Sequence, residues 1–248
     1  AGSDVAQLAT TAKRDGDHYV VNGSKMFITS GMRADWYTVA VRTGGPGAAG
    51  VSLLGIKRDT PGFTRTELKK MGWWASDTAE LHFVDCRVPA GNLIGAECQA
   101  FPLIMRNFNG ERLTLAASSC GAAQACLEDA VAWARERKTF GQPLIAHQVI
   151  RHKLVDMAER IEATRALIDD LASRLDAGEQ PVAQTAMAKN YAARTMQFCA
   201  DAAVQILGGS GYMRGVRVER IYREVKVMMI GGGAEEVLKD LAARQLGF

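Results

Sequence analysis

The 248-residue chain is 48% hydrophobic and 23% charged, the composition of an ordinary globular protein that can bury a substantial core. A formal charge of +3 and the lack of a basic tail argue against nucleic acid or a charged membrane surface as a partner. No apolar run reaches the ~20 residues of a membrane span. Five cysteines without CxxC spacing indicate free thiols in a reducing compartment and no metal site.

Residues 1–97 have the pattern of short β-strands separated by turns. Asn22-Gly23, a strong hairpin signal, lies between the predicted strands His18–Val21 and Lys25–Thr29. This spacing predicts a compact β-barrel or sandwich as the first domain. Further strands are predicted at 36–42, 51–56 and 80–84.

From residue 98 to residue 248 the spacing of apolar residues becomes helical. Short connections at 177–181 and 208–211 predict long antiparallel helices packed as a bundle. The predicted fold class is therefore α+β, with a β domain (1–97) followed by a helical domain (98–248). The predicted helices are 98–106, 110–137, 145–177, 181–207, 216–229 and 234–246.

One of these helices carries charged residues at both ends. Asn109 is its predicted N-cap, and Glu111 in its first turn suits the positive end of the helix dipole. Arg137, at the other end, is 26 residues from Glu111, which is about 39 Å along a helix. The two ends cannot serve one small site in one subunit. Either they have unrelated roles, or each serves a different copy of a site in an oligomer.

Glu111-Arg112, a helix rich in small residues, and the run Arg137-Lys138-Thr139-Phe140-Gly141-Gln142-Pro143-Leu144 follow one another in the chain. This order resembles the acyl-CoA dehydrogenase family of flavoproteins, and the likeness extends from the first residues to Gly231-Gly232-Gly233-Ala234-Glu235-Glu236. The resemblance implies an FAD-dependent enzyme of fatty-acid β-oxidation, cytoplasmic in a bacterium or in the mitochondrial matrix of a eukaryote. It also implies that the family's N-terminal helical domain is missing here, so the sequence is expected to be a fragment.

The resemblance also implies a catalytic base. The family removes the α-proton of an acyl-CoA thioester with a carboxylate while a hydride leaves the β-carbon for flavin N5, giving trans-2-enoyl-CoA. In most members the carboxylate lies in a C-terminal Glu-Gly-Thr motif, where this chain has Gly232. A branch resembling the isovaleryl- and long-chain-type enzymes has the base in the Glu-Arg motif that Glu111 matches. Glu235 and Glu236 are rival bases, although both also fit charges at a helix N-terminus.

Several side chains are expected to bind FAD by the same resemblance. Phe27 would cover the flavin ring and Thr29 would bond near N5, although by themselves they fit the end of an ordinary strand. Arg137 and Thr139 would hold the pyrophosphate of FAD in the neighbouring subunit, although a basic run also fits a solvated helix end. Gly208 and Gly209 would approach the adenosine half of FAD, although two glycines after a helix also fit a simple helix C-cap. The other expected cofactor contacts are Phe140, Leu144, His147, Gln205 and Ile206.

Ser3 and Arg112 match positions that contact acyl-CoA in the family, although a surface arginine would explain Arg112 equally well. Gly231 and Gly232 lack the side chains of many relatives, which is expected to open room for branched or bulky acyl groups. The expected partners are acyl-CoA, an electron-transfer flavoprotein as acceptor, and further copies of the chain in a dimer or tetramer. No metal, nucleic acid or membrane is expected. The alternatives are an acyl-CoA oxidase-like enzyme and a non-catalytic flavoprotein relative that binds nucleic acid.

Overall fold

The computed structural model describes residues 2–248, in which nine strands and five α-helices form an α+β chain, as predicted. By its contacts the chain divides into two compact units, of which the first ends at Asn107 and the second begins at Phe108. This division falls within the first α-helix, which begins at Ala100. The boundary predicted from sequence, between residues 97 and 98, lies just before that helix and stays a prediction.

Seven strands of the first unit form one mixed sheet in the order β5-β6-β2-β1-β3-β4-β7. Neighbouring strands are antiparallel except β1 and β3, which are parallel. The strands are β1 (Thr11–Asp15), β2 (His18–Thr29), β3 (Trp36–Arg42), β4 (Val51–Lys57), β5 (Phe63–Glu67), β6 (Thr78–Pro89) and β7 (Leu93–Ile94).

The sheet is strongly curled, because its edge strand β5 contacts a strand on the other side of the core. Phe63 of β5 stacks on Phe83 of the adjacent β6 with ring centroids 4.8 Å apart. Phe63 also meets the ring of Tyr37 of β3 edge-on at 4.8 Å. Three strands separate β5 from β3 in the sheet order, so only a closely curled sheet brings these rings together. The first unit therefore resembles an open barrel around one aromatic and aliphatic core.

The hairpin predicted at Asn22-Gly23 is wrong. β1 and β2 turn at Gly16-Asp17, since Asp15 pairs with His18, and β2 continues through the Asn-Gly pair. The side chain of Asn22 accepts a hydrogen bond from the Asp85 N–H (2.9 Å) and donates one to Asp85 Oδ1 (3.1 Å). A bulge against β6 accommodates the Asn-Gly pair in place of a turn.

Replacing Gly23 by Ala is expected to lower the free energy of unfolding by about 2–4 kcal/mol. The φ angle at Gly23 is +134°, and a Cβ there would lie 2.8 Å from the Cα of Thr10. Urea unfolding measures the loss. Gly91→Ala is the matched control, because a Cβ at Gly91 would meet no atom within 4 Å. Equal losses in the two variants would contradict the close approach of backbone at Gly23.

The helices are α1 (Ala100–Glu136), α2 (Gln148–Asp176), α3 (Val182–Leu207), α4 (Arg217–Ile230) and α5 (Glu235–Leu246). Thr164 Oγ1 on α2 lies 2.9 Å from Thr195 Oγ1 on α3. Met157 O accepts from Cys199 Sγ at 3.9 Å, so the numbering rises on α2 as it falls on α3. These two helices are therefore antiparallel, as predicted. None of the described helices has the length and apolar character that a membrane crossing needs.

The prediction that Asn109 caps a helix is wrong, because α1 is continuous from Ala100 and joins two predicted helices. Pro102 is tolerated in its first turn, where backbone N–H groups have no acceptor within the helix. Asn109 lies inside the helix, and its Oδ1 accepts a hydrogen bond from Arg112 Nη1 at 2.9 Å. Glu111 is therefore roughly three turns from the start of α1, and the helix dipole does not account for it.

All five cysteines are free, and four of them are buried. Burial raises the pKa of Cys126 and of Cys199 to about 12 and that of Cys86 to about 11. These groups are therefore protonated thiols at neutral pH and contribute to the core as small apolar side chains.

Candidate functional site

A cavity of about 470 Å³ opens in the second unit beside the ends of α1 and α3. Arg137 directly follows α1, and Gly208 begins the 3₁₀ turn Gly208–Tyr212 that directly follows α3. The cavity is lined by Trp133, Arg137, Thr139, Leu144, Ile206, Leu207, Gly208, Gly209 and Ser210.

Most of the cofactor residues expected in the second unit meet at this cavity, namely Arg137, Thr139, Leu144, Ile206, Gly208 and Gly209. Phe140, His147 and Gln205 do not line it. Trp133, Leu207 and Ser210 line the cavity but were not expected. Helical spacing could have identified Trp133, because the Arg137 N–H donates to its carbonyl (2.9 Å), one turn back along the chain.

A small hairpin holds the polar side of the cavity. It consists of β8 (Lys138–Thr139) and β9 (Gln142–Pro143), joined at Phe140-Gly141, where both φ angles are positive. His147 Nε2 lies 3.1 Å from Thr139 Oγ1, and its ring meets that of Phe140 edge-on at 6.0 Å. His147 therefore orients Thr139 and the hairpin and does not itself face the cavity.

The guanidinium of Arg137 has no hydrogen-bond or ion-pair partner among residues 2–248. A Cβ at Gly208 or Gly209 would meet no atom within 4 Å, so the backbone there is open to a ligand. A free guanidinium and a hydroxyl can bind a phosphate, while Trp133 and Leu144 supply an apolar wall. The cavity is therefore suited to the phosphate and flat base of a nucleotide.

A second group of expected residues lies towards the other end of α1. Arg112 is 7% exposed, and its Nε donates to the carbonyl of Gly232 at 3.0 Å. Burial lowers the pKa of its guanidinium, and the charge of Glu111 opposes that shift. Arg112 is therefore buried, and the alternative that it is an ordinary surface arginine is wrong. The neighbouring Glu111 is exposed.

The two rival bases lie in the first turn of α5. Glu235 is paired with Arg194 and with Lys239, the latter at 2.8 Å. Glu236 is exposed. Both positions suit the positive end of the helix dipole, which is the interpretation that needs no catalytic role.

The tip of the Leu115 side chain lies close to Gly232. A Cβ at Gly232 would lie 2.6 Å from Leu115 Cδ1. Leu115 is on α1, one turn beyond Glu111, so its side chain lies where a side chain at position 232 would begin. The expectation of extra acyl room at Gly232 stays a prediction. At Gly231 the nearest atom to an added Cβ is the carbonyl oxygen of Val227, at 3.1 Å.

Replacing Gly232 by Ala is expected to lower the unfolding free energy by about 1–2 kcal/mol, mostly through its φ of +70°. Leu115→Ala removes the steric part, so the double variant should lose less than the sum of the single losses. Gly121→Ala is the control within α1, since a Cβ there meets nothing within 4 Å and Ala favours the helix. Strict additivity in urea unfolding would contradict the contact.

The remaining expected residues lie in the first unit. Phe27 is 76% exposed and has a φ of 62°, a left-handed conformation that is costly for a bulky side chain. It lies in the irregular stretch of β2 between Lys25 and Ile28. Thr29 ends β2 and is exposed, as is Ser3 near the start of the chain. Within residues 2–248 no three His, Cys, Asp or Glu side chains are grouped to hold a metal.

Comparisons with known proteins agree over nearly the whole chain. Residues 100–247 match the model of the acyl-CoA dehydrogenase C-terminal domain, and residues 1–86 match that of the middle domain. Isobutyryl-CoA dehydrogenase of Dictyostelium discoideum is 42% identical and covers 99% of the chain. Cyclohexane-1-carbonyl-CoA dehydrogenase of Geobacter metallireducens is 40% identical over 99% of the chain.

A solved structure from Mycobacterium abscessus, described as a probable acyl CoA dehydrogenase, matches 100% of the chain with a TM-score of 0.98 and 52% identity. The chain spans 60% and 65% of the two named relatives and 66% of this solved chain.

Proposed function

The chain belongs to the acyl-CoA dehydrogenase family, and we propose that the full-length protein is an FAD-dependent acyl-CoA dehydrogenase that converts an acyl-CoA thioester into the corresponding 2-enoyl-CoA. The observation that carries this proposal is the cavity beside α1, where Arg137 has no partner among the described residues. A guanidinium without a carboxylate partner is suited to a phosphate ligand, because it can donate two parallel hydrogen bonds to phosphate oxygens.

We propose that Glu111 is the base that removes the α-proton of the substrate. It is followed by a buried arginine and has no ion-pair partner among residues 2–248, so its carboxylate is free to accept a proton. Gly232, at the position where most of the family carries its glutamate, has no side chain. Glu235, by contrast, is already paired with two cations.

The residues present fit FAD. Arg137 and Thr139 would hold the pyrophosphate, and the open backbone at Gly208 and Gly209 would admit the adenosine half. Phe27, exposed and in a left-handed conformation, would cover the flavin ring, with Thr29 donating close to it. When bound, FAD supplies the acceptor for the hydride that leaves the substrate's β-carbon.

Phe140 supports the same assignment from the second unit. It is 96% exposed with a φ of 50°, so it too is a large aromatic held in a costly conformation without a partner that buries it. Because Arg137 and Glu111 are about 39 Å apart along one helix, we propose that the two ends serve different FAD molecules in a homo-oligomer.

The substrate that we propose is a short acyl-CoA branched at the α-carbon. The acyl groups named for the two relatives, isobutyryl and cyclohexane-1-carbonyl, both carry two carbon substituents on that atom. Ser3 and Arg112 would contact the acyl-CoA, and an electron-transfer flavoprotein would be the acceptor.

A panel of acyl-CoAs tests the proposal on the purified full-length protein. FAD should be released on denaturation, and isobutyryl-CoA should be oxidised faster than straight-chain palmitoyl-CoA when an electron-transfer flavoprotein or a dye is supplied. Oxygen consumption without an acceptor would favour the oxidase alternative. Bound FAD without turnover of any acyl-CoA would contradict the proposed activity.

A further inference from the structure

Three buried polar side chains hold the carbonyl groups of one short segment, the glycine loop Gly231–Ala234, and of the residue after it. Arg112 donates to Gly232 O (3.0 Å), Lys189 Nζ donates to Gly233 O (2.9 Å), and Asn190 Nδ2 donates to Glu235 O (3.0 Å). Lys189 and Asn190 are consecutive on α3, whereas Arg112 is on α1. Two helices thus fix the segment from different directions.

Lys189 is the least expected of the three. Its side chain is 1% exposed, and it has no carboxylate within ion-pair distance among residues 2–248. Burial lowers the pKa of the ammonium to about 8, and the charge of Arg112 adds to that effect. A buried, unpaired charge is costly, so hydrophobic packing of α3 does not explain why a lysine lies here.

The glycine loop needs an external anchor. Gly232 and Gly233 have φ angles of +70° and +114°, and successive glycines have no side chains that could fasten the segment. The loop also determines where Arg112 lies, since Gly232 O accepts from its guanidinium. Arg112 is the neighbour of Glu111 on α1, so a displaced loop would disturb the turn that carries the proposed base.

We propose that Lys189 is a positioning residue for the reaction, which it serves by fixing the glycine loop through Gly233 O and thereby the Glu111-Arg112 turn. This proposal rests on the proposed function, because the turn has a catalytic role only if Glu111 is the base. The ammonium does not touch the reacting atoms. It acts through the backbone of the loop and through Arg112.

Lys189→Met tests the proposal, with Thr195→Val as the matched control. Thr195 is also 1% exposed and on α3, and its hydroxyl bonds to Thr164 at 2.9 Å, so Thr195→Val removes a buried polar contact away from the loop. Hydrogen–deuterium exchange of the peptide that contains residues 231–235 should be about tenfold to a hundredfold faster in Lys189→Met and unchanged in Thr195→Val.

Reduction of bound flavin by isobutyryl-CoA supplies the second readout. In Lys189→Met the limiting rate should fall at least about tenfold while the half-saturating acyl-CoA concentration changes little, because the loop acts on the chemical step. Loss of thermal stability alone, with normal loop exchange and limiting rate, would overturn the proposal. If the wild type itself is not reduced, the enzyme assignment fails, but loop exchange still decides whether Lys189 is the anchor.

Lys189→Gln covers the case in which the methionine variant does not fold, since it keeps a shorter, neutral donor. Its loop exchange should lie between the wild-type rate and the unprotected rate. The unmodified protein provides a check that needs no variant. An unprotected exchange rate for residues 231–235 in the wild type would overturn the proposal, because an anchored loop must be protected.

Discussion

Replacing Glu111 by Gln is expected to slow the reduction of bound flavin by isobutyryl-CoA by about 10²- to 10⁴-fold, the usual contribution of a general base. Gln has nearly the same shape but cannot accept the α-proton. The binding of acyl-CoA should change little, since the carboxylate is exposed and has no ion-pair partner among the described residues. Rapid mixing under anaerobic conditions, with the loss of the flavin's visible absorbance as the signal, measures the rate.

The rival carboxylates provide the controls. Glu235→Gln and Glu236→Gln should retain reduction within a few-fold of wild type, although Glu235→Gln gives up its ion pairs with Arg194 and Lys239. Loss of reduction in Glu236→Gln together with retention in Glu111→Gln would move the base to α5 and contradict the assignment made here.

Replacing Arg137 by Met is expected to weaken FAD binding by about 10²- to 10³-fold. The change removes two charge-assisted hydrogen bonds to phosphate, while the methionine keeps most of the apolar stem. Arg135→Met is the matched control, because Arg135 lies in the last turn of the same helix, is exposed and does not line the cavity. Titration of the apoprotein with FAD, followed by the change in flavin fluorescence, gives both dissociation constants.

Arg137→Met and Glu111→Gln should also lose activity for different reasons. With saturating FAD, Arg137→Met should recover most of its limiting reduction rate, because Arg137 would hold the pyrophosphate of FAD and not the flavin ring that accepts the hydride. Glu111→Gln should retain FAD and stay slow. Equal weakening of FAD binding in Arg137→Met and Arg135→Met would mean that the general positive charge of the helix end, and not the cavity, attracts the cofactor.

Much of the secondary structure could be predicted because it depends on local patterns. The strand predicted at 36–42 is β3 to the residue, and the helices predicted at 181–207 and 216–229 match α3 and α4 within one residue at each end. Alternating or helically spaced apolar residues determine such elements wherever the core is close by.

The errors arise where a distant contact outweighs a local signal. Asn-Gly favours a two-residue turn, but the side chain of Asn22 is bound to Asp85, 63 positions away, and the strand pairing with β6 continues. Asn109 has the chemistry of an N-cap, but its amide bonds to Arg112 inside a helix that already began at Ala100. Neither partner can be recognised from the neighbouring sequence.

The candidate site likewise contains residues that the sequence could identify and one that only the tertiary fold identifies. The resemblance named Arg137, Thr139, Gly208 and Gly209, and these do line one cavity. It did not single out Lys189, which reads as an ordinary residue of an alanine-rich helix. Only its bond to Gly233, 44 positions later, and its nearly complete burial identify it. A buried lysine becomes visible only when the tertiary fold brings its acceptor close.

An anaerobic titration of the full-length, FAD-loaded protein with isobutyryl-CoA shows directly whether the protein oxidises an acyl-CoA at a bound flavin. We expect the visible absorbance of the oxidised flavin to disappear and one molecule of 2-enoyl-CoA to form for each flavin reduced. FAD that stays oxidised in the presence of excess isobutyryl-CoA, butyryl-CoA and cyclohexane-1-carbonyl-CoA would contradict the proposed activity.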